Sequence, residues 1–136
     1  MIDISGVRDA LAANLSNVDG LRVSAHVPDV VNPPMALVTV GRGTFIRYDA
    51  ALSSGAAELS FVVVLFVTRA SEGAGQDALD AYVSDGPGSI KAAIESNPTL
   101  GTLADWVVVT EARSFGTLTY NGVDYFGCEF LVGVGV

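Results

Sequence analysis

The chain has 136 residues, half of them hydrophobic and 16% charged, with fifteen acidic against seven basic side chains and a net charge of −8. This composition excludes a disordered chain, and the length predicts one domain, 1–136, with a core of its own. An acidic surface repels nucleic acid and anionic membranes, so neither is an expected ligand. The longest apolar run, 61–67, is too short to span a membrane, and 1–9 has no signal-peptide pattern.

The apolar content also exceeds what a small monomer needs to build its core. Excess apolar side chains in a small domain must be exposed or must meet a partner, because a small domain has much surface for its volume. The composition therefore predicts a soluble subunit of a larger assembly.

The N-terminal third predicts a helix, a strand and a loop. Apolar residues recur at three- and four-residue steps over 3–18, which is the stripe of an amphipathic helix with Asp3 or Ser5 as its N-cap. Residues 21–27 alternate between apolar and polar side chains, as a half-exposed strand does. The prolines of 28–34 then predict an irregular connection.

The middle of the chain predicts strands on either side of a loop. Residues 35–40 form the first of these strands, and 44–48, beyond a Gly-Arg-Gly kink, either extend it or start another. Residues 49–57 are small and weakly patterned, which predicts a flexible hairpin loop. The strand 58–69 follows, and we expect the segment 42–58 to rearrange or become ordered on assembly.

The strand 58–69 is apolar on both of its faces. Its odd-numbered residues from Leu59 to Val67 form one apolar face, but Val62, Val64 and Phe66 on the opposite face are apolar too. A strand with one solvent-exposed face alternates between apolar and polar residues, so this pattern indicates a strand covered on both sides.

The C-terminal half predicts two short helices and three strands. The helices are 76–83 and 89–96, the second capped by Ser89. A strand over 106–113 follows, and then a hairpin over 117–136 that turns at Asn121-Gly122, because a type I′ turn needs two residues that tolerate positive φ.

This order of elements predicts an α+β fold. We expect a mostly antiparallel β-sheet with the N-terminal helix and two short helices packed on one face, and a terminal β-hairpin. Two arrangements would cover the other face of the sheet: a neighbouring subunit, or a curled, barrel-like closure of the chain on itself.

Nothing in the sequence predicts catalysis. His26 is the only histidine and Cys128 the only cysteine, so no metal site is expected, and Cys128 lies in a strand-like context typical of a core residue. Nucleophile-elbow, phosphate-loop and calcium-loop motifs are absent from the sequence. We expect no enzyme activity and no cofactor.

Residues at the ends of the 49–57 loop are the candidates for contact between subunits. Arginines here would meet acidic surface on a neighbouring copy, and aromatic residues would anchor the contact. The alternatives are solubilising charge at strand ends and aromatic residues that complete the core. The candidates are Arg42, Phe45, Arg47, Tyr48, Leu52, Glu58 and Arg69.

Several segments give the chain a family resemblance. They are DISGVRDALAANL (3–15), VDGLRVSA (18–25), NPPMALV (32–38), ELSFVVVLFV (58–67), SIKAAIESNPTLG (89–101) and WVVVT (106–110). In their order and local character they resemble the tail-terminator proteins of long-tailed siphophages, especially those that infect actinobacteria. None of these segments is a catalytic signature.

The resemblance implies a structural virion protein at the head-proximal end of the tail, assembled in the host cytoplasm. Its copies would close into a ring, expected to be a hexamer, that caps the tail tube, stops its polymerisation and joins it to a head-completion or neck protein. Genomic DNA would only pass through the lumen, which an acidic surface favours. The alternatives are a head-tail connector or stopper, a tail-tube subunit, and a non-viral binding domain.

Overall fold

The computed structural model describes residues 2–48, 57–70 and 75–136. These residues form three α-helices and six strands. In chain order they are α1 (Ile4–Leu15), β1 (Arg22–Ser24), β2 (Met35–Thr39), β3 (Ile46–Arg47), β4 (Glu58–Arg69), α2 (Gln76–Val83), α3 (Ile90–Glu95), β5 (Trp106–Tyr120) and β6 (Val123–Gly135).

The six strands form one mostly antiparallel sheet. The strand order is β1-β2-β4-β6-β5, and β3 pairs with the start of β4. Of the strand pairs that the described residues form, β1–β2 is parallel and the others are antiparallel. The strands β5 and β6 form the long C-terminal hairpin. The predicted α+β class, with its helices on one face and its terminal hairpin, is confirmed.

The three helices pack on one face of the sheet, which we call the helix face. The apolar residues of α1 at Val7, Leu11 and Leu15 are fully buried there, as are Leu79 of α2 and Ile90 of α3. From β4 the odd-numbered residues from Leu59 to Val67 join this main core. The stripe in the sequence therefore identified the buried side of α1 correctly.

Capping contacts fix the ends of α1 and α3. The Asp3 carboxylate accepts a hydrogen bond from the Gly6 N–H at 2.9 Å, and the Ser89 hydroxyl accepts one from the Ala92 N–H at 3.1 Å. At the other end of α3, the buried Asn14 amide donates to the Ile94 carbonyl at 3.0 Å. Since helix ends leave backbone groups without partners inside the helix, these contacts hold α3 in a fixed place beside β5.

The first predicted strand is shorter than its alternation indicated. The strand β1 stops at Ser24, and Val27, expected to point inward, is 58% exposed. The reason is local, because the Ser24 hydroxyl accepts a hydrogen bond from the His26 N–H at 3.3 Å and turns the chain.

The prediction of a break between 113 and 117 is wrong. The strand β5 continues through this segment as one strand of 15 residues. Two register irregularities, between Val109 and Glu111 and between Arg113 and Gly116, absorb the extra residues as β-bulges. Ser114 and Gly116 take positive φ values of 56° and 139°, so the disturbed sequence pattern reflects a bulge and not a loop.

Three other predictions match the structure closely. The bounds of β4 and α2 are those predicted, 58–69 and 76–83. Asn121 and Gly122 form the turn between β5 and β6 with φ values of 50° and 78°, as a type I′ hairpin requires.

Within 2–48, 57–70 and 75–136, no helix combines the length and the apolar character needed to cross a membrane.

Candidate interaction surface on the second face of the sheet

The second face of the sheet, opposite the helices, is closed at one end by the chain itself. Phe66 of β4 and Tyr125 of β6 are buried there with Met35, Leu37 and Val31, forming a second, smaller core. Val31 comes from the proline-rich connection, 28–34, which therefore covers this end of the sheet.

The tip of the β5–β6 hairpin holds this connection in place. The Tyr120 hydroxyl donates a hydrogen bond to the Pro28 carbonyl, and the Asn121 amide donates to the Asp29 carbonyl at 3.0 Å. At this end the chain itself, and not a neighbouring subunit, covers the second face.

Within 2–48, 57–70 and 75–136, no segment crosses the opposite end of the second face, which we call the open end. Across this end the register places Arg47, Glu58, Gly135 and Trp106 side by side on four neighbouring strands. Trp106 is 42% exposed, and the neighbouring Val108 is also exposed. A large aromatic side chain at a half-exposed position is typical of an interaction surface.

Two glycines of β6 make room for the Trp106 indole. A Cβ added at Gly135 would overlap the indole, and one at Gly133 would lie 3.3 Å from its Cζ3 atom. Alternate glycines in a strand often mark the close approach of another group, and here that group is the indole lying across the sheet. Trp106, Val108, Gly133 and Gly135 together form a flat apolar area, which we call the Trp106 platform.

A groove continues from the platform along the second face. Its floor includes Ser60, Val62 and Leu131. Gly41 and Thr44 line one side of it, and Thr110 and Arg113 line the other. Arg42 and Glu58 line it as well.

The charges along this groove have both signs. Arg113 forms an ion pair with Glu129, with 3.3 Å between Nε and Oε1, and the Ser114 hydroxyl donates to the same oxygen at 3.2 Å. Such a mixed surface favours a complementary protein partner over a free anion.

The structure separates the predicted interface residues into two groups. Arg42, Arg47 and Glu58 lie at the open end, where Arg47 and Glu58 are directly paired across β3 and β4. Arg69 ends β4 and so lies about 36 Å from Glu58, at the ~3.3 Å rise per residue of a strand. The prediction that Arg69 joins the other arginines beside one hairpin is therefore wrong.

The two aromatic candidates have different environments. Tyr48 is 73% exposed at the open end of the sheet. Phe45 is half-buried against the main core, with its ring edge-to-face on Phe61 at 5.2 Å between centroids. Phe45 thus contributes to the core, and its role between copies stays a prediction. Leu52 and residues 49–56 of the predicted 49–57 loop lie outside the described residues.

The Trp106 platform is the feature that the sequence prediction missed. From their sequence, the segments WVVVT (106–110) and VGVGV (132–136) predict only strands. The glycines at alternate positions of the second segment were the available signal, because in a strand they indicate close approach by a neighbouring group. Which group approaches depends on the register between β5 and β6, and the sequence does not specify it.

A metal site and a reactive thiol each require a particular arrangement among the described residues. Within 2–48, 57–70 and 75–136, no three His, Cys, Asp or Glu side chains cluster as metal ligands. Cys128 is fully buried, as predicted; burial raises the pKa of its thiol, and its sulfur lies 3.2 Å from the Arg113 carbonyl. A buried neutral thiol is a poor nucleophile.

No protein-family model and no curated protein matches this chain.

Proposed function

We propose that this chain is a structural virion protein, the tail terminator of a long-tailed phage. Its copies associate into a closed ring, expected to contain six subunits, at the head-proximal end of the tail. The ring caps the tail tube, stops its polymerisation and binds the head-completion or neck protein. Genomic DNA passes through the lumen without specific contacts, and the acidic composition supports this because it limits adhesion to phosphates.

The observation that carries the proposal is the Trp106 platform at the open end of the second face. The chain covers the other end of this face with its own residues 28–34 but leaves Trp106 and Val108 exposed. Exposed aromatic and apolar residues, bordered by the charged cross-strand neighbours Arg47 and Glu58, match the usual composition of a protein interface with an apolar centre and a polar rim.

Ring closure requires contact between two different surfaces of neighbouring copies. Such a heterologous interface closes into a ring when its rotation divides a full turn, and otherwise it produces a filament. The subunit offers chemically distinct surfaces for this purpose, because the platform lies on the second face whereas the helices occupy the opposite face. About 800 Å² per subunit would be enough for a stable contact.

Electron microscopy of the purified protein, alone and with tail tubes, tests the proposal. We expect discrete rings, and tubes that carry one ring at one end and no longer elongate when tube protein is added. Long tubes of the protein alone would instead show a tube subunit, and rings that bind heads but not tubes would show a connector or stopper. Single subunits under all of these conditions would contradict the proposal.

A further inference from the structure

The strand β5 lies at the edge of the sheet and has only one partner strand. It pairs with β6 over its length, and none of the other strands in the described part of the chain lies on its other side. An exposed edge strand offers unpaired N–H and C=O groups to any extended segment, so natural proteins protect such edges. An edge strand of 15 residues needs this protection more than most.

The two β-bulges divide this edge into short regular stretches. The bulges lie between Val109 and Glu111 and between Arg113 and Gly116, which leaves regular pairing over 106–109, 111–113 and 116–120. Bulges disturb the spacing of edge groups and so impede strand addition. The stretch 106–109 is Trp-Val-Val-Val, which combines high β-propensity with no charge, and it is the stretch most prone to pairing.

A single carboxylate occupies the edge of this stretch. Glu95, the last residue of α3, accepts a hydrogen bond from the Val109 N–H at 2.9 Å to its Oε2 atom. The Lys91 ammonium binds both oxygens of the same carboxylate, at 2.6 and 2.7 Å. Because Ser89 and Asn14 fix the two ends of α3, the carboxylate is held at this position.

We propose that Glu95 is a guard that prevents the edge stretch 106–109 from pairing with the same stretch of a second copy. Two identical, uncharged stretches can pair antiparallel about a two-fold axis without charge repulsion, so a second copy is the partner that this edge fits best. While Glu95 accepts the Val109 N–H, this group is not available to another strand. The guard confines association to the faces of the sheet, and it acts whether or not the chain forms a tail ring.

The test compares Glu95→Ala with Glu111→Ala. Both substitutions remove one negative charge, but Glu111 is an exposed residue of β5 whose carboxylate takes part in none of the hydrogen bonds and ion pairs among the described residues. In dilute solution we expect the Val109 amide of Glu95→Ala to exchange its hydrogen about tenfold faster, or more, than that of the wild type. As concentration rises, Glu95→Ala should form species larger than the wild type does, and protection at Val109 should return. Glu111→Ala should match the wild type in both measurements.

Two further measurements apply if Glu95→Ala does not fold. In the wild type the Val109 amide should exchange more slowly than that of Val107, whose N–H points to the same edge by the strand period of two. Glu95→Gln keeps an oxygen acceptor, so it should retain most of the protection at Val109 and should not associate further. Equal exchange at Val107 and Val109, or a folded Glu95→Ala that associates no more than Glu111→Ala, would overturn the proposal.

Discussion

At the scale of single residues, Gly135 determines the position of the Trp106 indole. A side chain at Gly135 would overlap the indole, because a Cβ there would lie less than 3.0 Å from its Nε1 and Cε2 atoms. We expect Gly135→Ala to displace the indole and to reduce the free energy of unfolding by about 1–3 kcal/mol, as overpacking does. Urea unfolding followed by tryptophan fluorescence measures both effects, since Trp106 is the only tryptophan.

Gly86→Ala is the matched control for this substitution. A Cβ at Gly86 has no heavy atom within 4 Å, and no positive φ is involved. Gly86→Ala should leave the free energy of unfolding and the fluorescence emission of Trp106 unchanged. Unaltered fluorescence and stability in Gly135→Ala would show that the indole does not depend on the glycine.

Glu95 is the residue at which stability should depend on pH. Burial raises the pKa of its carboxyl, but the hydrogen bonds from Lys91 and from the Val109 N–H, with the Lys91 charge, outweigh burial and bring the pKa below its ordinary value of 4.5. A lowered folded-state pKa gives stability that is complete above the unfolded pKa and is lost as pH falls through the folded pKa.

We therefore expect the wild type to be more stable than Glu95→Gln near neutral pH, with a difference that shrinks below pH 4.5. Chemical unfolding of both proteins, from neutral pH to below pH 4.5, measures this difference in the free energy of unfolding. A difference that stays constant with pH would show that the ionised carboxylate makes no net contribution.

At the scale of elements, the hairpin tip and the 28–34 connection stabilise each other. The Tyr120 hydroxyl binds the Pro28 carbonyl, and the Tyr120 ring lies edge-to-face on Phe66 at 5.6 Å between centroids. We expect Tyr120→Phe, which keeps the ring but loses the hydroxyl, to reduce the free energy of unfolding by about 1 kcal/mol.

Tyr48→Phe provides the control, because Tyr48 is 73% exposed and no hydrogen bond of its hydroxyl occurs among the described residues. Thermal unfolding of both variants gives the comparison. Equal stability of the two would mean that the tip is not held through the Tyr120 hydroxyl.

Elements with strong local signals could be predicted from the sequence, whereas those decided by tertiary contacts could not. The apolar stretch 58–69, the cap at Ser89 and the Asn121-Gly122 turn each carry their signal within a few residues. The extent of β5 depends instead on pairing with β6, which continues through two bulges that look like a break in the sequence.

At the scale of the whole molecule, the second face of the sheet combines a closed end and an open end. The sequence showed that β4 is apolar on both faces, but only the fold shows that residues 28–34 cover one end and that Trp106 lies exposed at the other. Of the predicted site, Arg42, Arg47, Tyr48 and Glu58 lie at the open end. Arg69 does not, because it lies at the far end of β4, and the two ends of a 12-residue strand are far apart in space.

The mass of the assembled protein tests most directly whether copies associate through the Trp106 platform. Native mass spectrometry of the wild type should show one closed oligomer, expected to contain six copies. Trp106→Lys and Val108→Lys should remain single subunits, since a charge in an apolar contact is costly. Phe115→Lys, which changes a 49% exposed aromatic residue elsewhere on β5, should assemble like the wild type. If the folded platform variants formed the same oligomer as the wild type, the platform would not be the contact between copies.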